Sequence, residues 1–109
     1  MKKGTIYPLP LINFEPRSDW SLLSETEYPL SLYAMHIVNM SNVPIIVSFD
    51  SLEGHVLCLS KERIALSFPI DSLDMQGCIF SRLYAKSYDS DTDPDGRCYI
   101  NGFILFRGA

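Results

Sequence analysis

The sequence predicts an all-β protein, an antiparallel β-sandwich or small barrel of about seven strands with an extended N-terminal arm. Two observations predict this fold class. From Leu30 onward, short segments rich in β-branched and aromatic residues alternate with clusters of turn residues. Between them lies no amphipathic segment long enough to form the helix that joins parallel strands, so neighbouring strands are expected to be antiparallel.

Residues 1–30 are predicted to form the extended arm, and residues 31–109 the sandwich domain. Proline removes a backbone donor and fixes φ, so a proline-rich segment is a poor candidate for regular structure. The prolines of the arm are Pro8, Pro10, Pro16 and Pro29. One short helical turn is predicted inside the arm, over residues 18–24, with a serine as its cap.

The arm carries large apolar side chains that are not expected to lie bare in water, so it is predicted to contact a neighbouring protein. Aromatic and aliphatic side chains of this kind are typical anchors of protein–protein interfaces. The predicted partner-binding residues are Ile6, Tyr7, Leu9, Leu11, Phe14 and Trp20.

The strands of the sandwich domain are predicted from alternation and from turn residues. Val43, Ile45 and Val47 alternate with other residues, which gives their strand one apolar face. The longest loop is predicted over residues 69–77, and an acidic turn over residues 89–96. The predicted strands cover residues 32–38, 43–49, 55–59, 62–68, 79–86 and 98–106.

Composition and charge limit the function classes. The chain has 109 residues, of which 47% are hydrophobic and 20% are charged, and this is enough apolar material for the core of one domain. The formal net charge is −4, and the nine Lys and Arg residues are scattered along the chain. Direct nucleic-acid binding is therefore not expected, because it requires a basic surface.

The cysteines and the apolar segments indicate the compartment. Cys58, Cys78 and Cys98 form no C-x-x-C pair and are predicted to be buried free thiols. No apolar stretch approaches the ~18–20 residues that span a bilayer. The apolar run after the N-terminal lysines is too short for a signal peptide. The chain is expected to be made in a cytoplasm and to have no membrane partner.

An acidic loop is the sharpest local motif for a ligand. From Asp91 the sequence reads D-x-D-x-D-G, so Asp91, Asp93 and Asp95 alternate as in the opening of a calcium loop. The position of the closing bidentate glutamate is occupied by Gly102, and no helix is predicted beside the loop. The alternative interpretation is a solvated hairpin turn built on Pro94, Asp95 and Gly96. Calcium is the only cofactor that the sequence suggests.

No catalytic residues are predicted. His36 and His55 are the only histidines, and neither stands in a metal-binding spacing such as H-x-H or H-E-x-x-H. An acid–base site would need one of them to meet Asp50 or Glu53 in the fold. The sequence contains no G-x-S-x-G nucleophile elbow and no phosphate-binding glycine loop. The chain is therefore not expected to be an enzyme.

Residues 37–59, IVNMSNVPIIVSFDSLEGHVLCL, resemble a pattern found in small virion proteins of tailed bacteriophages. In that pattern a strand ends in Asn, a polar turn follows, and the next strand ends in Ser-Phe-Asp before a glycine turn. Residues 83–86 and 97–103 resemble the later strands of the same proteins. The resemblance covers roughly two-thirds of the chain. One departure is that three residues separate Asp50 from Gly54, where such proteins place glycine directly after the Asp.

The resemblance implies a β-sandwich that is built into the phage particle as a minor component of the neck, the tail or the capsid. Its partners would be other virion proteins and copies of itself. The expected function is thus that of a non-catalytic virion structural protein, made in the host cytoplasm, that acts through assembly. The alternative is a calcium- or carbohydrate-binding module, in which Trp20 or surface tyrosines act together with the loop of Asp91, Asp93 and Asp95.

Overall fold

The computed structural model describes residues 6–67, 78–88 and 91–106, and all regular structure in these residues is β. The strands are β1 (Ile6–Phe14), β2 (Ser21–Asn39), β3 (Ile45–Ser48), β4 (Val56–Cys58), β5 (Arg63–Ser67), β6 (Cys78–Ser87) and β7 (Cys98–Phe106). They form one 7-stranded sheet in which every pairing is antiparallel. The predicted all-β antiparallel fold is therefore confirmed.

The 19-residue strand β2 organises the sheet, because two layers share it. Its second half pairs with β7 along one edge and with β5 along the other. Its first half pairs with β6, which continues to β3 and β4. One layer is therefore β1–β7–β2–β5 and the other is β2–β6–β3–β4. The described strands do not close into a barrel, since β5 pairs only with β2 and β4 only with β3.

The two layers fold over one another and enclose the core. Asn39 at the end of β2 bonds to the carbonyl oxygen of Cys58 in β4, although β6 and β3 lie between these strands in the sheet. Apolar side chains from β1, β2, β3, β4, β6 and β7 meet between the layers, and their removal from water is the main stabilising term. The core residues are Leu9, Phe14, Leu30, Leu32, Met35, Ile37, Ile45, Val47, Cys58, Phe80, Leu83, Ala85, Cys98, Ile100 and Ile104.

A buried polar network, the Asn39 corner, fixes the end of β2 against three other segments. The side-chain Nδ2 of Asn39 donates to the carbonyl oxygens of Val43 at 2.9 Å and Cys58 at 3.1 Å. Its Oδ1 accepts from the backbone N–H of Ser41 at 3.0 Å and from the Sγ of Cys98 at 3.3 Å. Asn39 and Ser41 are completely buried, so these bonds replace the water that both side chains lose.

A bulge in β2 and a glycine in β7 allow the two strands to approach closely. The register of β2 on β7 shifts between Leu32 and Ala34, which leaves Tyr33 as the extra residue. A Cβ at Gly102 would collide with the carbonyl oxygen of Ala34. Glycine is therefore required at this position for a steric reason, one residue pair beyond the bulge, where Gly102 lies opposite Met35.

The N-terminal segment belongs to the sheet. The predicted helical turn over residues 18–24 is wrong, because β2 begins at Ser21 and pairs there with Ala85 of β6. Pairing with a neighbouring strand has overridden a weak local preference. Residues 6–14 are extended, as expected for an arm, but they pair along β7, and the predicted boundary at residue 30 falls inside β2.

The described residues also locate two of the cysteines. Cys58 and Cys98 are buried free thiols, as predicted. Burial raises the pKa of the Cys58 thiol to about 11 and also raises the pKa of Cys98. The side chain of Cys78, the predicted loop over residues 69–77 and the first two residues of the predicted acidic turn lie outside the described part of the chain.

Candidate interaction surfaces

The outward side of the β1–β7–β2 layer carries rows of apolar residues. Residues opposite one another on antiparallel strands share a face of the sheet. One row runs from Ile6 through Leu105 and Ser31 to Ile79 in β6. The two inner members are buried, whereas Ile6 is 48% and Ile79 50% exposed. Large apolar side chains therefore reach solvent at both ends of this row.

The next row continues the apolar surface. It pairs Pro8 with Phe103, Phe103 with Ala34, and Ala34 with Ser67 at the edge of β5. Phe103 is 50% exposed and the bulged Tyr33 beside it is 43% exposed. The apolar face is defined here as Ile6, Pro8, Tyr33, Ala34, Ile79 and Phe103.

A groove of about 350 Å³ crosses the apolar face. Its lining includes Pro8, Ala34 and Phe103, together with His36 and Asn101 from the following row. None of the described residues that line it is acidic, although the whole chain has a net charge of −4. A partner that binds here would meet a mostly apolar surface with three polar side chains, those of His36, Asn101 and Ser67.

A second concave surface lies on the outward side of β3 and β6. This Trp20 cleft has a volume of about 410 Å³ and is lined by Trp20, Ile46, Leu52, Gly54, Lys86 and Tyr88. The Nζ of Lys86 lies 4.8 Å from the centroid of the Trp20 ring, a cation–π contact. One face of the indole is thus covered by a residue of the chain itself, so a ligand could stack only on the other face.

The loop between β3 and β4 forms one wall of the Trp20 cleft. The side chain of Asp50 holds this loop in its conformation. The carboxylate Oδ1 of Asp50 accepts from the backbone N–H groups of Leu52 at 2.9 Å and Glu53 at 3.1 Å. These bonds stabilise the charged form and hold the pKa of Asp50 below its ordinary value. The result is an ordered turn that presents Leu52, which is 84% exposed.

The same loop brings His55 near Asp50, the one pairing that an acid–base site would need. The distance from Nε2 of His55 to Oδ2 of Asp50 is 3.9 Å, and Nδ1 of His55 accepts from the backbone N–H of Phe49 at 3.2 Å. The Ser48 hydroxyl donates to Asp50 at 3.0 Å and is completely buried. Both nitrogens of His55 are therefore directed at groups that shape the turn, and the Ser48 hydroxyl is directed at Asp50.

The predicted calcium ligands are not brought together. Asp91, Asp93 and Asp95 are all exposed, and within the described residues no three His, Cys, Asp or Glu side chains are grouped to hold a metal ion. Backbone bonds to Asn42 fix the loop instead. Its Nδ2 donates to the carbonyl oxygen of Asp93 at 3.0 Å, and its Oδ1 accepts from the N–H of Asp95 at 2.7 Å. The motif is therefore an exposed connection between β6 and β7, and it is not a hairpin turn, because β2 lies between these two strands in the sheet.

The predicted partner-binding residues fall into two groups. Leu9 and Phe14 are 7% and 8% exposed and belong to the core, so a partner cannot reach them. Tyr7 is half-buried against the same core. Ile6 and Leu11 are exposed, and Trp20 lines its cleft. The sequence does not show which strand the arm residues pair with. It therefore does not show which of their side chains face the core and which face solvent.

The sequence prediction missed Phe103, the centre of the apolar face. Residues 103–106, Phe-Ile-Leu-Phe, form a continuous apolar run. Such a run gives a strand two apolar faces, whereas alternation gives it one. The run therefore indicates an outward apolar face at Phe103, a residue that is absent from the contact residues predicted above.

Comparison of the chain with protein-family models, curated proteins and solved structures finds no match. The resemblance to phage virion proteins therefore stays a prediction. Within the described residues, no helix is long and apolar enough to cross a membrane.

Proposed function

We propose that this chain is a non-catalytic structural protein that acts through protein–protein assembly, and that it assembles into the virion of a tailed bacteriophage. The observation that carries the first part is the apolar face, on which Ile6, Ile79 and Phe103 are each about half exposed. The second part rests on the resemblance of residues 37–59 and of the later strands to small virion proteins.

The geometry of the apolar face suits a protein partner. A typical stable interface buries roughly 800 Å² on each side and is centred on aromatic anchors. Phe103 lies opposite Ala34, the chain neighbour of the bulged Tyr33, and both aromatic side chains are exposed. The groove beside Phe103 is shallow and uncharged, which suits a flat protein surface better than a small charged ligand.

The hydrogen bonds in the β3–β4 loop support a structural role for its polar groups. Ser48 hydrogen-bonds to Asp50, Asp50 to the backbone of its own turn, and His55 to the backbone N–H of Phe49. A catalytic serine would need its hydroxyl to contact the histidine that accepts its proton. Here the hydroxyl of Ser48 faces the carboxylate instead, and this arrangement stabilises the turn.

Particle fractionation tests the virion proposal. A lysate that contains the phage encoding this chain is separated on a density gradient, and peptides of the chain are quantified by mass spectrometry. We expect them in the band of intact particles at a constant ratio to the major capsid protein. Peptides that remain only at the top of the gradient would show that the chain is not a virion component. The virion part of the proposal would then be rejected.

A matched pair of variants tests the role of the apolar face. The double variant Tyr33→Ser and Phe103→Ser removes both aromatic anchors, and we expect it to fold but to be lost from the particle band. The control is Leu22→Ser, because Leu22 and Phe103 are both 50% exposed and Leu22 lies outside the apolar face. Equal incorporation of both variants would show that the apolar face is not the contact surface.

Deletion of the N-terminal residues is a less informative test. Removing residues 1–16 would remove β1 and, with it, the core residues Leu9 and Phe14. A loss of incorporation after this deletion would report unfolding as readily as a lost contact.

A further inference from the structure

The edge of β5 differs from the other free edges of the described sheet. β1 forms one edge, and it carries Pro8 and Pro10. A proline in an edge strand stands at a position where the N–H would point away from the neighbouring strand. Since proline has no N–H, the outer side of the edge lacks a donor at that position. β4 forms another edge but is only 3 residues long. β5 has 5 residues, contains no proline and, among the described residues, pairs only with β2.

The hydrogen-bond pattern shows which groups of β5 point outward. The N–H of Asn39 donates to the carbonyl oxygen of Glu62 at 2.9 Å, just before β5 begins. In an antiparallel ladder the residues alternate between bonding to the neighbouring strand and pointing away from it. Since Glu62 points toward β2, Ile64 and Leu66 do the same, and the backbone groups of Arg63, Ala65 and Ser67 point to the outer edge.

The side chains of β5 leave room for another strand. Arg63, Ala65 and Ser67 are exposed, while Ile64 and Leu66 pack only partly against the core. The turn over residues 59–62 joins β4 to β5, but the two strands do not pair. A strand added at this edge would cover what remains accessible of Ile64 and Leu66.

We propose that two copies of this chain pair antiparallel along β5, around a two-fold axis at Ala65. This register places Ala65 opposite Ala65 of the second copy, and Arg63 opposite Ser67. All the outward N–H and C=O groups of the three residues are then paired, giving about six hydrogen bonds between the copies. No like charges face one another, and the small Ala65 permits close approach on the axis.

The second copy is the occupant that the edge itself favours. The chain has a net charge of −4, and the only charged side chain of β5 is Arg63. In the two-fold register this guanidinium lies beside an uncharged serine, so self-pairing carries no local repulsion. The pairing uses the backbone edge of β5 and does not depend on the virion proposal, although Ala65 and Ser67 also line the groove of the apolar face.

The first test removes a central hydrogen bond of the pairing. The N–H of Ala65 does not bond to β2, so Ala65→Pro leaves the ladder between β2 and β5 intact but blocks the outer edge. We expect the natural chain to be a dimer by sedimentation equilibrium and Ala65→Pro to be a folded monomer by the same measurement and by circular dichroism. A natural chain that stays monomeric at millimolar concentration would overturn the proposal, as would a folded Ala65→Pro variant that still dimerises.

The second test checks the register through charge. Ser67→Arg would place two arginines opposite one another at both ends of the pairing, and we expect dimerisation to weaken about ten-fold. Adding Arg63→Glu to this variant places a glutamate opposite each new arginine, and we expect the affinity to return. Both positions are exposed, so neither change threatens the fold. Failure of the double variant to recover the affinity would reject the register about Ala65.

Discussion

The Asn39 corner and the apolar face are opposite exceptions to the rule that apolar residues lie inside a protein and polar residues outside. At the corner, two polar side chains are completely buried and every polar atom of Asn39 has a partner. On the apolar face, aromatic and aliphatic side chains are half exposed. The corner holds the two layers together from within, whereas the face has no such function inside the chain, and this difference predicts opposite effects of mutation.

The largest effect is expected at the corner. Asn39→Asp replaces the two N–H donors with a carboxylate that faces the carbonyl oxygens of Val43 and Cys58. Because one oxygen of this buried carboxylate would face two carbonyl oxygens in place of a donor, we expect a loss of about 3–5 kcal/mol in the free energy of unfolding, measured by denaturant titration. The exposed Asn101→Asp is the control and is expected to change stability by less than about 0.5 kcal/mol. Equal losses would mean that the network is not a source of stability.

A second comparison separates backbone collisions from side-chain collisions. A Cβ at Gly102 would meet the carbonyl oxygen of Ala34, whereas a Cβ at Gly54 would meet the flexible side chain of Ile46. We expect Gly102→Ala to lower the free energy of unfolding by about 3 kcal/mol and Gly54→Ala by about 1 kcal/mol, because only a side chain can rotate away. The reverse order in thermal or denaturant unfolding would show that β7 can move away from β2.

Alkaline pH should lower the stability of the fold, because it ionises a thiol that is buried between the two layers. Cys58 has a pKa of about 11 in the folded chain, against a value of 9.0 for a free thiol. Between these two values the folded state keeps a proton that the unfolded state loses, so stability is intact below pH 9 and falls as the pH rises toward 11. Unfolding titrations from pH 8 to 11 should show this slope, and Cys58→Ala should reduce it. An unchanged slope in that variant would assign the effect to other groups.

The smallest effect on stability is expected on the apolar face. Phe103→Ser removes a half-exposed ring, so we expect a change within about 1 kcal/mol in the free energy of unfolding. Its effect on particle incorporation should be large by comparison. A loss of several kcal/mol would instead mean that the Phe103 ring supports the fold of the chain itself.

Much of the fold followed from the sequence because alternation and turn residues are local signals. The strand containing Ile45 and Val47, and the strand containing Ile100 and Ile104, appear where they were predicted. The N-terminal segment was harder to interpret. Residues 6–14 contain prolines and no clear alternation, and their place in the sheet depends on β7, which follows about 90 residues later in the chain.

The candidate surfaces were only partly predictable. Trp20, Ile6 and Leu11 were identified as contact residues and are accessible to different degrees. Phe103 and Tyr33 were not, because Tyr33 is the extra residue of the bulge in β2 and Phe103 lies opposite its neighbour Ala34. Both features arise from the pairing of distant segments, and one sequence does not reveal which strands become neighbours.

The position of β7 between β1 and β2 has a consequence for the order in which the chain folds. β7 is the last described strand to be synthesised, yet it joins the first two. The β1–β7–β2 layer therefore cannot form while residues 98–106 are still inside the ribosome, and until then β1 has no partner in the described sheet. Contacts of such large sequence separation slow folding. During synthesis the apolar segment of β1 must stay extended and unpaired, a state in which a chaperone or another newly made copy can bind it.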